Sequence, residues 1–222
     1  MLDLFFLAGL PYVAVFTMVV GSIYRFNSNR FSYSALSSQF LENDKVFWGS
    51  LPWHLGLGIV FFGHLIAFLF PRFWQNLTSG GTVVILIEST GLAAAVACFI
   101  GLLVLFIRRL FTSRIQAVTS TMDLVILLLL LVQIVLGILT AVLYPWGSSW
   151  APGTMSPYLW SLVSFSPNIA FVENLPIIVK LHLIFAWVIV LLIPFSRLVH
   201  AFSLPFRYFT RPPQVVIWNR RK

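Results

Sequence analysis

The sequence predicts an all-α integral membrane protein with five transmembrane helices, and three observations carry that prediction. Of its 222 residues, 59% are hydrophobic and only 9% charged, whereas about a quarter of a soluble domain is charged. Five runs, near residues 4–24, 50–70, 82–107, 123–144 and 177–202, match the roughly 20 apolar residues that a bilayer core requires. The formal charge of +8 sits in short connections and a tail between those runs, which excludes a basic face for nucleic acid.

The first run, MLDLFFLAGLPYVAVFTMVV, begins with an acidic Asp3, lacks a basic leader and shows no small-residue cleavage pattern. It is therefore expected to remain as a span. Pro52 and Pro71 bracket the second run, Pro145 ends the fourth and Pro176 precedes the fifth, as suits a residue with fixed φ and no donor. Pro11 and Pro194 fall inside spans and predict local kinks. The single cysteine, Cys98, lies in an apolar run and excludes both a disulfide framework and a CxxC metal or cluster motif.

Of the 14 Lys and Arg residues, all but Arg72 and Lys180 fall at the ends of spans 1, 3 and 5, in the loops that follow, or in the tail. Basic residues are retained on the cytoplasmic side, so the N-terminus is expected outside and the C-terminus inside a plasma (inner) membrane. Residues 1–203 then form one five-helix domain and residues 204–222 a cytoplasmic tail. The long outer connection, residues 145–176, is rich in Trp, Pro and Ser and suits the interfacial belt. A short surface-lying helix is expected there around Pro157 to Phe165.

The chain's four histidines, His54, His64, His182 and His200, all lie in spans 2 and 5. Ionisable groups are costly in lipid and mark pathways or cofactors. Spans 2 and 5 run in opposite directions, so depth pairs His54 with His200 near the inner end and His64 with His182 nearer the outer end. Ten residues place His64 about 15 Å from His54, and eighteen place His200 about 27 Å from His182. Eighteen residues make about five whole turns, which predicts that His182 and His200 share one helix face. The unequal separations favour a wide planar ligand and helix tilt over one small metal ion per pair. Two imidazoles facing each other at each of two depths predict two bis-histidine b-type haems.

Gly56, Gly58 and Gly63 lie between the span 2 histidines, where close approach of either a macrocycle or a neighbouring helix is needed. Arg197, three residues before His200, is placed either to make a bidentate contact with a haem propionate or to snorkel to the interface. Arg108 and Arg109 read as topology determinants. Glu88 reads as an interfacial carboxylate, Asp123 in STMD as part of a capping box, and Gln133 as an interhelical hydrogen-bonding residue.

The units HLGLGIVFFGH, RRLF, SALSSQFLEN and KLHLIFAWVIVLLIPFSRLVHAFSLPFRYFTR resemble the gamma, or cytochrome b, subunit of membrane-bound respiratory nitrate reductase, over about Tyr24 to Arg211. The resemblance implies a dihaem quinol oxidase subunit that passes electrons from an outer haem on His64 and His182 to an inner haem on His54 and His200. From there they would reach an iron–sulfur beta subunit and a molybdenum-containing alpha subunit on the cytoplasmic side. It places the quinol among Gly63, His64 and Arg72, although the start of span 3 lacks the basic residue that the family's pocket can include. Membrane subunits of heterodisulfide and related sulfur-metabolism reductases share the module, and they stand as the alternative. A non-haem metal or proton transporter is the rival of another class. Docking of the soluble partners is expected on Ser32 to Lys45 and on the tail, where Val215 to Trp218 suggests an ordered contact.

Overall fold

The computed structural model describes residues 2–33 and 44–202, and all regular structure among them is helical. Helix α1 spans Leu2–Ser28 and contains a π turn at Phe5–Gly9. Helix α2 runs Asp44–Leu69, the short α3 Pro71–Thr78, α4 Gly81–Phe111 and, after a single turn at Ser113–Gln116, α5 Thr121–Leu143. Helix α6 covers Gly147–Val163 and α7 Ile177–Leu192, followed by 3-10 turns at Ile193–Phe195 and Arg197–Phe202. Helices α1, α2, α4, α5 and α7 are long and apolar enough to cross a membrane, at the five places the hydropathy predicts.

The spans form an open row in the order α2, α4, α5, α7, α1. Small residues set the tightest contact in it. A Cβ on Gly56 would lie 2.4 Å from the Ala94 carbonyl oxygen, and one on Gly101 would lie 2.6 Å from the Gly49 carbonyl oxygen, so α2 and α4 touch backbone to backbone. Pro52 lies inside α2 rather than at its start, because the helix begins eight residues earlier and Gly101 leaves room for the proline ring. Helices α2 and α7 make no extensive contact with each other, and they are the least covered of the five spans.

Prolines release backbone carbonyls, and side chains from elsewhere take them. Pro11 has no N–H for the Leu7 carbonyl four residues back, and the Tyr158 hydroxyl donates to that oxygen at 2.6 Å. Pro152 likewise releases the Ser148 carbonyl, which accepts from Trp74 Nε1 at 3.0 Å. At the end of α2, before Pro71, the Ala67 and Phe68 carbonyls accept from Ser156 Oγ and Trp160 Nε1, each at 3.0 Å. The surface helix expected at 157–165 is thus longer and earlier, Gly147–Val163, and crosses from the end of α2 to the start of α1. Glu88 fixes its start, accepting from the backbone N–H groups of Trp146 at 3.1 Å and Ser148 at 3.0 Å.

Candidate functional site: four histidines on two antiparallel segments

His54 lies ten residues into α2, and His64 five before its end. On helical geometry His54 sits roughly 160° around α2 from Gly56, the residue pressed against α4, so it looks away from that neighbour. His182 lies in the second turn of α7, and His200 lies beyond the end of α7 in the last 3-10 turn.

The expectation that His182 and His200 share one face of a continuous helix is not met. Pro194 cannot donate to Val190, whose carbonyl accepts from Ile193 instead and tightens the chain into 3-10 geometry. The axis then breaks at Ser196, which is extended at φ −115° and ψ 180°. Helix α1 is shaped to receive the break. Gly21 packs on Pro194 so closely that a Cβ would lie 3.0 Å from the ring, and Arg25 Nη1 donates to the Pro194 and Ser196 carbonyls at 2.8 Å each. The five-turn rule and the 27 Å separation apply to an unbroken helix and do not describe this segment.

All four rings share one feature. His54 Nδ1 contacts the Ser50 carbonyl at 2.8 Å, His64 Nδ1 that of Val60 at 2.7 Å, His182 Nδ1 that of Gln133 at 3.1 Å and His200 Nδ1 that of Arg197 at 2.6 Å. A carbonyl only accepts, so each neutral ring carries its proton on Nδ1 and its lone pair on Nε2. This is how an imidazole is prepared for metal ligation, with the second nitrogen fixing tautomer and orientation. Among the described residues no group of three or more His, Cys, Asp or Glu side chains could hold a metal ion. Pairs of neutral imidazoles are the donor type that axial ligation of a haem uses.

Arg197 has a protein partner that the sequence reading did not name. Its guanidinium forks onto Asp123, with Nε 2.6 Å from Oδ1 and Nη2 3.1 Å from Oδ2. Arg109 completes a buried triad, its Nη1 3.0 Å from Asp123 Oδ2. Asp123 also closes the expected capping box with Ser120 at the start of α5. Sequence reasoning treated Arg109 and Asp123 separately. The available signal was that span alternation brings Arg109, Asp123 and Arg197 to the same end of the bundle, where one carboxylate meets two guanidinium groups.

Gly56 serves helix packing against α4, whereas a Cβ on Gly63 would meet only Trp74, at 3.9 Å, and one on Gly58 would meet nothing within 4 Å. Arg72 is exposed at the second position of α3. Gln133 meets the interhelical expectation through its backbone, since its carbonyl holds His182, while its side-chain Oε1 is buried and unpartnered. The expected docking segments lie mostly outside the described residues, which omit 34–43 and 203–222.

The family described as nitrate reductase gamma subunit matches residues 3–219. The chain is 34% identical over 215 residues to the nitrate reductase gamma chain of Bacillus subtilis, covering 96% of both chains. It is 33% identical over 224 residues to the respiratory nitrate reductase 1 gamma chain of Escherichia coli, covering 97% of both. It is also 28% identical over 221 residues to the nitrate reductase-like protein NarX of Mycobacterium tuberculosis, matching 96% of this chain and 33% of that longer protein.

Proposed function

The chain belongs to the nitrate reductase gamma subunit family, and on that premise we propose that it is the quinol-oxidising dihaem cytochrome b subunit of a respiratory nitrate reductase complex. The observation that carries this reading is the common setting of the four histidines, each with Nδ1 on a backbone carbonyl, the second-nitrogen contact that orients a ligating imidazole. His64 and His182 would hold the outer haem, and His54 and His200 the inner one. When bound, the two haems supply one-electron redox chemistry, accepting electrons from quinol at one end and delivering them at the other.

The chain's own residues set the direction of that traffic. Arg25, Arg30, Arg108, Arg109, Arg114 and Arg197 gather at the end that holds His54 and His200, which supports an inward-facing orientation in a plasma membrane. Partner subunits of iron–sulfur and molybdenum type would dock there and carry nitrate reduction. At the opposite end, quinol would lie among Gly63, His64 and Arg72, where the surface of α2 is open. Moving an electron inward against 100 mV costs about 2.3 kcal/mol, so releasing quinol protons outside would store reaction energy as membrane potential. Arg197 keeps Nη1 outside its pair with Asp123, and that N–H is what it would offer a propionate of the inner haem.

The test is a reduced-minus-oxidised spectrum of the chain purified with its partners, using a quinol as reductant. Two b-type haems per chain, reducible by quinol, are expected. A colourless chain, or haem that quinol does not reduce, overturns the proposal.

A further inference from the structure

The two ligands of span 2 are oriented within their own helix. His54 and His64 each reach the carbonyl four residues back, at Ser50 and Val60, so the local turn of α2 sets both rings. The two ligands of span 5 are set differently, and both trails lead to α5, a helix that carries no histidine. His182 reaches across to the Gln133 carbonyl on α5 at 3.1 Å. That approach requires Gly137, one turn on, because a Cβ there would lie 3.0 Å from His182 Cε1. His200 reaches the Arg197 carbonyl at 2.6 Å, and the Arg197 side chain is held in turn by Asp123 on α5. Asp123 is 6% exposed, is fixed by its capping box with Ser120 and is neutralised by Arg109 as well.

The geometry points to α5 as the positioning element for both axial ligands of span 5. Gly137 and the Gln133 carbonyl aim the His182 ring, and Asp123 aims His200 through Arg197. The physical need follows from the break at Ser196. A continuous helix would carry the orientation of His182 through to His200, but the extended Ser196 removes that constraint and leaves the last 3-10 turn to be placed by side-chain contacts. The bidentate pair between Arg197 and Asp123 supplies a directional contact of the required kind. The two devices are fourteen residues apart on α5, or about 21 Å, so they act on separate ligands.

This inference rests on the proposed dihaem reading, and one experiment separates the two. Gly137→Ala, Asp123→Asn and Asp123→Glu are made in the full complex. The two b-haem components are then resolved by redox titration of their spectra, and the haem content is measured per chain found in the membrane. Gly137→Ala is expected to shift or deplete only the component that His64→Ala removes. Asp123→Asn is expected to shift or deplete only the component that His54→Ala removes, with haem binding weakened about tenfold at each affected site. Asp123→Glu, which keeps the charge, should restore most of the inner component. If Gly137→Ala does not accumulate, the two Asp123 variants decide the claim. Equal effects on both components, effects on the opposite component, or no effect from variants that accumulate normally overturn the positioning role. A wild-type chain without two b-type components overturns the dihaem reading itself.

Discussion

Helix α2 and the stretch from Ile177 to Phe202 each carry two histidines, yet they are built on opposite principles. Helix α2 is uninterrupted over 26 residues even with Pro52 inside it, and backbone-to-backbone contacts at Gly49 and Gly56 hold it to α4. The last span loses its α-helix at Leu192, breaks at Ser196 and is held by charged side chains, Arg25 on its carbonyls and Asp123 on Arg197. Close packing keeps the register of one, and a polar network keeps the register of the other. The difference teaches that two segments carrying two histidines each need not be matched helices.

The comparison breaks most sharply at Asp123. Replacing it by Ala leaves Arg109, 6% exposed, and Arg197 facing each other without a carboxylate. Removing one partner of a buried ion pair costs about 3–5 kcal/mol, and the loss should appear as a large drop in the thermal unfolding midpoint of the detergent-solubilised protein. A midpoint within error of wild type would show that the triad does not hold the broken span.

The next largest effect tests α2. Gly56→Ala drives a methyl against the Ala94 carbonyl, a backbone atom that cannot rotate away, at an expected cost of about 1–3 kcal/mol. Gly58→Ala, two residues on with nothing within 4 Å, should be neutral or stabilise by about 0.5–1 kcal/mol through its better helix propensity. Comparing resistance to chemical denaturation of the two variants isolates packing from propensity. Equal loss from both would remove the claim that Gly56 sets the α2 to α4 contact.

A smaller effect is expected at the opposite end of the bundle. Tyr158→Phe removes the side-chain donor that reaches the Leu7 carbonyl left open by Pro11, at a cost of about 1–2 kcal/mol. Proteolysis of the 145–176 connection should accelerate if α6 is anchored there, and an unchanged rate would count against that anchor.

The five spans were legible because about 20 apolar residues and basic loops leave a strong compositional signature. The placing of all four histidines on two of those spans was legible in the same way. What the sequence did not reveal depended on contacts between distant segments. Pro194 announced a kink, but the extended Ser196 follows from Gly21 and Arg25 on α1, 171 residues away in sequence for Arg25. The outer helix expected around Pro157 to Phe165 begins earlier, at Gly147, because Trp74 and Glu88 on distant segments satisfy its start. The sequence likewise did not reveal that Asp123, at the start of another span, pairs with Arg197.

The central claim, that the histidines act in pairs by depth across α2 and the last span, is tested most directly by single and double His→Ala variants read as reduced-minus-oxidised spectra. His64→Ala and His182→Ala should each remove the same component, and the double variant should remove nothing more. His54→Ala and His200→Ala should behave likewise for the other component, while His64→Ala combined with His200→Ala should remove both. Loss of one shared component by His64→Ala and His200→Ala would contradict the account.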